Sequence, residues 1–520
     1  MKGAHALMRT LLGAGVDVCF ANPGTSEMHF VAALDDVPEM RAILGLFEGV
    51  VTGAADGYGR MAGQPAATLL HLGPGLGNGI ANLHNARRAR TPVVNIIGDH
   101  AIGHRRYDAP LQSDIESLAR PVSRWYRSAG DITSLPADTA AAVAAACSAP
   151  AGVATLVVPA DLSWSEGAKV APPETPRPPA AVPAEAVELV AKVIARGEPC
   201  VLLLGGTATR ERGLVASARV AKVTGCRLLA ETFPAVLERG VGVPAVERLA
   251  HLGEMVADQL RGTRHLVLAD AATPVSFFAY PGRPGLLVPD GCTVHVLAAP
   301  GDDAVGALEA LADTVGAAHE GFARQEPARP ERPTGALNPA SAAAAIGALL
   351  PEDAVVSDES NTTGIFLPRA TAGAPRHTWL CLAGGAIGQG MPVATGAAVA
   401  CPGRRVLSLE ADGSAMYTLQ SLWTQAREGL DVTTVIFNNG LYAILELELS
   451  RVGAQGAGPR AQAMLELGNP SLDFVALARG MGVDASRATT AEEFTGQLER
   501  ALTAPGPSLV EAMVGRGLGL

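Results

Sequence analysis

Aromatic residues make up only 4% of this 520-residue sequence, and it has seven cysteines. With so few large rings, aliphatic and small side chains must fill the cores. The odd cysteine count and the absence of any CxxC pair exclude a disulfide framework and a zinc ribbon. No apolar run approaches the roughly 20 residues that cross a bilayer. Basic charge is not in excess either: 40 Lys and Arg face 51 Asp and Glu, a net charge of −11. A nucleic-acid binder would need a basic stripe to displace counterions. No small-residue cleavage site follows an apolar stretch near the N-terminus. The expectation is a cytoplasmic protein that binds neither membrane nor nucleic acid.

Hydrophobic residues (48%), Gly (59) and Pro (37) are plentiful. Large cores are therefore affordable, but 520 residues exceed a single one. Two Pro-rich stretches, Pro172–Glu185 and Glu326–Pro339, cannot continue helices or central strands and read as linkers. They predict domains over 1–171, 186–325 and 340–520. Within each, short β-branched runs alternate with amphipathic stretches: VDVCFAN and PVVNIIGD, then PCVLLLGG and HLVLAD, then DAVVSDES and VTTVIFNN. This alternation predicts three doubly wound α/β domains with parallel sheets. Ligands in such sheets sit beyond the carboxyl ends of the strands.

One pair of strand ends carries metal chemistry. The run Arg405–Glu410 leads into Ala411-Asp412-Gly413-Ser414, and VTTVIF leads into Asn438-Asn439-Gly440. Asp412 and Asn439 stand 27 residues apart, one βαβ unit, so both emerge at the same sheet edge. A carboxylate and an amide oxygen, with the Leu441 carbonyl as a third, suit a hard cation such as Mg²⁺. Gly413 admits close backbone approach and Ser414 opens the next helix, an anion-friendly position. Strand-end polar residues also cap helices in ordinary α/β proteins, so spacing alone leaves both readings open.

The same stretch resembles the cofactor signature of thiamine-diphosphate enzymes, Gly-Asp-Gly followed one crossover later by Asn-Asn. Asp412–Ala415, Leu422-Trp423 and Asn438–Tyr442 are most similar to the pattern of benzoylformate decarboxylase, with Ala411 replacing the first Gly. The likeness continues through PGTSE (Pro23–Glu27), Phe47-Glu48 before GVVTGAADGYGR, and HLGPGLGNG (His71–Gly79). It implies the thiamine-diphosphate-binding fold, with Asp412, Asn439 and Leu441 on Mg²⁺. Gly24, Asn78, Asn361, Thr362, Gly385, Gly413, Ser414 and Tyr442 are implied around the cofactor, with Ile387 as the wedge beneath it. Glu48 is implied as the carboxylate that activates the cofactor's aminopyrimidine, which supplies its own base. In this family that Glu meets the cofactor of another subunit, so a dimer or a homotetramer is expected.

The family reaction decarboxylates a 2-oxo acid to an enamine, which is then protonated or attacks a second carbonyl. His71, with Thr25 beside it, sits where benzoylformate decarboxylase carries a catalytic His. The second His of that enzyme has no counterpart in Pro274–Gly282, where Phe277 and Phe278 stand. Tyr107-Asp108 replaces the His pair of pyruvate decarboxylases, and His100, His104 and Asp108 read as a polar channel loop. The shortage of acids favours carboligation of the acetolactate-synthase type. A non-oxidative decarboxylase is the alternative, and a cofactor-binding paralogue without activity is a third reading. The central segment offers only Leu204-Gly205-Gly206 as a dinucleotide signal, so no FAD is expected. Phe277, Phe278, Met416 and Leu445 are candidates for an apolar substrate pocket.

Overall fold

The computed structural model describes residues 1–454 and 458–516. Within them the chain forms three sheets of six, five and seven strands. The first contains β1 (Val18–Asn22), β2 (Arg41–Leu44), β3 (Ala66–His71), β4 (Val93–Asp99), β5 (Trp125–Ser128) and β6 (Val153–Pro159), ordered β2-β1-β3-β4-β6-β5. Every pairing in it is parallel. Strands β4 and β6 are buried along their whole length, as sheets covered on both faces require.

The central sheet takes β7 (Cys200–Leu204), β8 (Arg227–Ala230), β10 (Glu247–Arg248), β11 (His265–Ala269) and β12 (Thr293–Ala298) in the order β10-β8-β7-β11-β12. The third takes β13 (Val355–Glu359), β14 (His377–Cys381), β15 (Val406–Ala411), β16 (Val432–Asn438), β17 (Asp484–Ala488) and β18 (Ser508–Met513). Its seventh strand, β9 (Leu237–Arg239), comes from the central segment and pairs antiparallel with β14. The predicted central segment therefore contributes an edge strand to its neighbour. Among the described residues, no helix is long and apolar enough to cross a membrane.

Two helices fix the first sheet against the third. Glu48–Ala62 (EGVVTGAADGYGRMA) packs on Gly390–Ala400 (GMPVATGAAVA). Their small residues let the backbones touch. A Cβ at Gly57 would lie 2.1 Å from the Val393 carbonyl oxygen, and one at Gly396 would lie 1.8 Å from that of Ala54. At the contact Arg60 forms a buried ion pair with Asp56 and donates to the carbonyls of Ala235 and Cys381. One guanidinium thus ties all three segments together.

A third helix, Leu72–Ala89, begins at the carboxyl end of β3 and reaches the other two sheets. Asn82 and Asn85 donate to the carbonyls of Gly388 and Ala386, and Arg90 just beyond it reaches Asp270 after β11. At 1.5 Å per residue it spans about 27 Å, enough to touch the strand ends of every sheet.

Candidate active site

In each sheet the strand order reverses in the interior: between β1 and β3, between β7 and β11, and between β13 and β15. Such switch points open a crevice at the carboxyl strand ends. The sequence-predicted residues collect at the first and third.

At the first crevice Glu48 opens its helix after β2, half-buried, and Asn78 donates to its Oε2 at 3.0 Å. His71 ends β3. A Cβ placed on Gly75 would lie 3.2 Å from Glu48 Oε1 and 3.5 Å from His71 Cβ, so the two side chains flank one small residue. His71 Nδ1 meets Glu27 Oε2 at 2.8 Å, leaving Nε2 for another partner. Glu27 also accepts the Gly24 amide at 2.7 Å. Gly24 is needed because a Cβ there would sit 2.3 Å from the His71 ring. Burial pushes the Glu27 carboxyl up, opposed by the Gly24 amide and by His71. Thr25 is exposed at the start of the same short turn. Glu27 lies within the PGTSE motif, but its pairing with a residue 44 positions away has no local signal.

At the third crevice Asp412 follows β15 and Asn439 follows β16, neighbouring strands as the spacing requires. Asp412 Oδ1 accepts the Gly413 amide at 2.8 Å, and Oδ2 accepts those of Asn439 and Gly440 at 3.1 and 2.7 Å. Asn439 Oδ1 accepts the Leu441 amide at 2.9 Å. Burial raises the Asp412 carboxyl, against four backbone donors that lower it. The donor set is one carboxylate, one amide oxygen and one peptide carbonyl. These hard oxygens fit a divalent cation such as Mg²⁺ that keeps part of its shell for phosphate and water. Asn361 (φ +50°) and Thr362 follow β13 at the same crevice. Ser414 is buried and donates to the Ala411 carbonyl at 3.1 Å.

Gly413 also makes room for a neighbouring ring. A Cβ there would lie 2.3 Å from the Tyr442 ring, so its bareness seats that ring against the strand end. The turn carrying Gly385 (φ +75°) and Ile387 is set from below by two buried acids. Glu359 accepts the amides of Gly388 at 2.6 Å and Gly390 at 2.5 Å. It pairs in register with Glu410 on β15. Burial pushes Glu359 up to about 7, and burial with the facing Glu359 pushes Glu410 well above its usual range. Glu359 ends β13 and Glu410 stands one residue before the end of β15, in stretches that sequence patterning reads only as strands.

Between the central and third sheets lies a cavity of about 890 Å³ whose walls include Asn361, Thr362, Leu382, Ile444 and His251. The His251 ring stacks 5.0 Å from that of Phe277, and its Nδ1 is buried without a partner among the described residues. Burial lowers its pKa, so it is neutral at neutral pH. A histidine therefore stands beside the Phe277 stretch after all, contributed from 26 residues upstream, where no motif marks it. Phe277, Phe278, Met416 and Leu445 are all exposed. His100 and His104 stack on each other, and no group of three or more His, Cys, Asp or Glu among the described residues is placed to hold a metal.

At the second crevice protein atoms occupy the strand ends. Arg90 pairs with Asp270, whose carboxylate also accepts the Thr207 amide at 2.9 Å and its hydroxyl at 3.1 Å. A Cβ on Gly206 would lie 2.1 Å from that carboxylate. Asp270 thus takes the loop amides that a bound phosphate would use.

Comparison with known proteins gives a consistent result. The N-terminal thiamine pyrophosphate-binding domain of the thiamine pyrophosphate enzymes matches residues 1–119, and their C-terminal thiamine pyrophosphate-binding domain matches 364–512. IlvX of Mycobacterium tuberculosis, provisionally named an acetolactate synthase large subunit, is 59% identical over 99% of both chains. Benzoylformate decarboxylase of Pseudomonas aeruginosa is 31% identical over 98% of both. The solved thiamine diphosphate-dependent 4-hydroxybenzoylformate decarboxylase of Rhodococcus jostii RHA1 covers 99% of both chains with a TM-score of 0.86 at 24% identity, the same fold.

Proposed function

The chain belongs to the thiamine pyrophosphate enzyme family, and from that premise we propose that it decarboxylates a 2-oxo acid and releases the aldehyde, using thiamine diphosphate and Mg²⁺. The observation that carries this reading is the Glu48, His71 and Glu27 cluster at the first crevice.

Bound thiamine diphosphate supplies the carbon nucleophile and the electron sink for loss of CO₂. Asp412, Asn439 and the Leu441 carbonyl would hold Mg²⁺, with Asn361, Thr362, Gly413 and Ser414 around the diphosphate and Gly385 and Tyr442 beside the cofactor. Ile387 is the apolar support, held by the turn that Glu359 anchors. Glu48 would hold a proton at Oε1 for the cofactor's pyrimidine edge, and Asn78, bonded to Oε2, orients the carboxyl for that role. Gly24 and Thr25 frame the substrate side. His71 would hold a proton at Nε2, turned to the substrate side, and Glu27 would stabilise the charged ring through Nδ1. A proton donor at the site moves the balance from carboligation, favoured on sequence, toward aldehyde release.

No hydrogen bond or ion pair among the described residues joins Glu48 to the Asp412 crevice. Exposed Leu46 lies beside the first and exposed Met416 and Tyr417 beside the third. This favours a dimer or tetramer in which one copy's Glu48 faces another's metal ligands. The IlvX likeness supports carboligation as the second reading.

The test is incubation with thiamine diphosphate, Mg²⁺ and either pyruvate or benzoylformate, followed by assay of CO₂, aldehyde and acyloin. Aldehyde as the main product is expected. Acyloin as the main product selects the second reading, and a panel of 2-oxo acids that yields no CO₂ removes both.

A further inference from the structure

Glu511 is an acid that the proposed reaction does not use. It is fully buried in β18, between the core residues Val510 and Ala512. A carboxylate so placed is costly unless it is paired and hydrogen-bonded. It has a partner on each side. Arg487 of β17, its register neighbour, donates Nε to Oε2 at 2.8 Å, and Arg487 Nη2 reaches the helix-capping Asp473 at 2.9 Å. Asn438, the last residue of β16, donates Nδ2 to Oε1 at 2.7 Å. A carboxylate only accepts, so this bond fixes which way the Asn438 amide points. Its Oδ1 is thereby turned to the loop, where it accepts the Gly440 amide at 3.1 Å. Asp412 Oδ2 accepts the same amide at 2.7 Å. A chain of bonds thus runs across three adjacent strands, from Arg487 through Glu511 and Asn438 to a donor that Asp412 also holds.

We propose that Glu511 is a positioning residue for the Asp412–Asn439 cation site and acts through Asn438. This role presupposes that Asp412 and Asn439 hold Mg²⁺. Asp412 Oδ2 accepts two amides, those of Asn439 and Gly440, and has no lone pair to give a cation without loosening one of them. Asn438 Oδ1 offers the Gly440 amide a second acceptor, so that amide stays satisfied and the loop keeps its shape while Oδ2 is shared. Glu511 holds Asn438 in the orientation that makes this possible. Partners of this kind, one bond behind the ligands, set metal affinity by orienting the ligands.

The test is the thermal upshift of the full chain at fixed thiamine diphosphate, titrated with Mg²⁺ to give the half-saturating concentration. Each upshift is taken from the variant's own metal-free melting temperature, so a purely structural loss moves the baseline and not the Mg²⁺ requirement. Glu511→Met keeps the length and bulk of the side chain but accepts from neither partner, and Arg487 retains Asp473. It is expected to raise the Mg²⁺ requirement about tenfold. Asn438→Ala, which cuts the chain at the loop and leaves the Arg487–Glu511 pair in the core, is expected to raise it as much. The two together should do no more than either alone, because they break one chain. Glu511→Gln still offers Asn438 an acceptor and should lie much nearer to wild type. A wild-type upshift that ignores Mg²⁺ would remove the metal reading and this role with it. Where wild type responds, an unchanged requirement in Glu511→Met and Asn438→Ala would overturn the positioning role alone. So would a roughly hundredfold rise in the double variant, or Glu511→Gln as impaired as Glu511→Met.

Discussion

The central and C-terminal sheets have the same design and opposite fates. Both are largely parallel, both reverse strand order in the interior, and both carry a glycine and an aspartate beyond the strand ends. In the C-terminal sheet Asp412 bonds only to amides of its own loops and keeps lone pairs for a cation. In the central sheet Asp270 is already paired with Arg90, delivered by the helix that begins at His71. Arg90 and Asp270 both adopt left-handed backbone (φ +55° each), a strain of about 1 to 2 kcal/mol per residue that their contact offsets. A doubly wound sheet thus offers a site, and a single side chain from a neighbouring domain can close it.

The largest effect is expected where that closure is broken. Arg90→Ala leaves Asp270 buried without its cation and should cost about 3 to 5 kcal/mol in denaturant unfolding. Adding Asp270→Asn should recover most of the loss. A single variant as stable as wild type would mean that the ion pair does not hold the crevice shut. Next, Asp412→Ala should weaken Mg²⁺-dependent cofactor binding about 100-fold, roughly 2.7 kcal/mol. The thermal upshift on adding cofactor and Mg²⁺ should largely vanish, whereas Arg90→Ala should keep it. Equal upshifts in Asp412→Ala and wild type would remove Asp412 from the metal site.

Glu231 lies behind the Arg90–Asp270 pair, and burial raises its carboxyl to about 7. The folded state therefore keeps a proton that the unfolded chain releases near pH 4.5. This contribution is full below the unfolded value, and wild-type stability should fall as pH rises from 4.5 to 7. Glu231→Gln should lack that fall, a difference on the order of 2 kcal/mol by pH 8. Unfolding curves at pH 5 and pH 8 check it, and parallel pH dependences in the two proteins would contradict it. The smallest effect is expected at the open first crevice. Glu27→Gln keeps the His71 contact but removes its charge and should lower aldehyde release about tenfold without changing cofactor affinity. An unchanged rate would leave His71 without a need for Glu27.

What could be read from the sequence follows from range. Asp412 and Asn439 sit on consecutive parallel strands, so their 27-residue spacing alone brings them together. The three α/β segments were legible because strand and helix periodicities are local. Contacts assembled across domains were not. Glu27 reaches His71 over 44 residues and Arg90 reaches Asp270 over 180, each with one polar residue at a strand or helix end and no periodic pattern around it. Strand β9 is three residues long, too short for alternation to mark. Resemblance supplied Glu48, since a half-buried acid at a helix start otherwise looks like a cap.

The central claim is that Glu48 activates a bound thiamine cofactor. The most direct measurement is deuterium exchange at the thiazolium C2 proton, followed by NMR after acid quench, with cofactor and Mg²⁺ saturating. Wild type is predicted to exchange this proton at least 100-fold faster than Glu48→Gln at matched cofactor occupancy. Equal exchange in the two proteins would contradict the assignment.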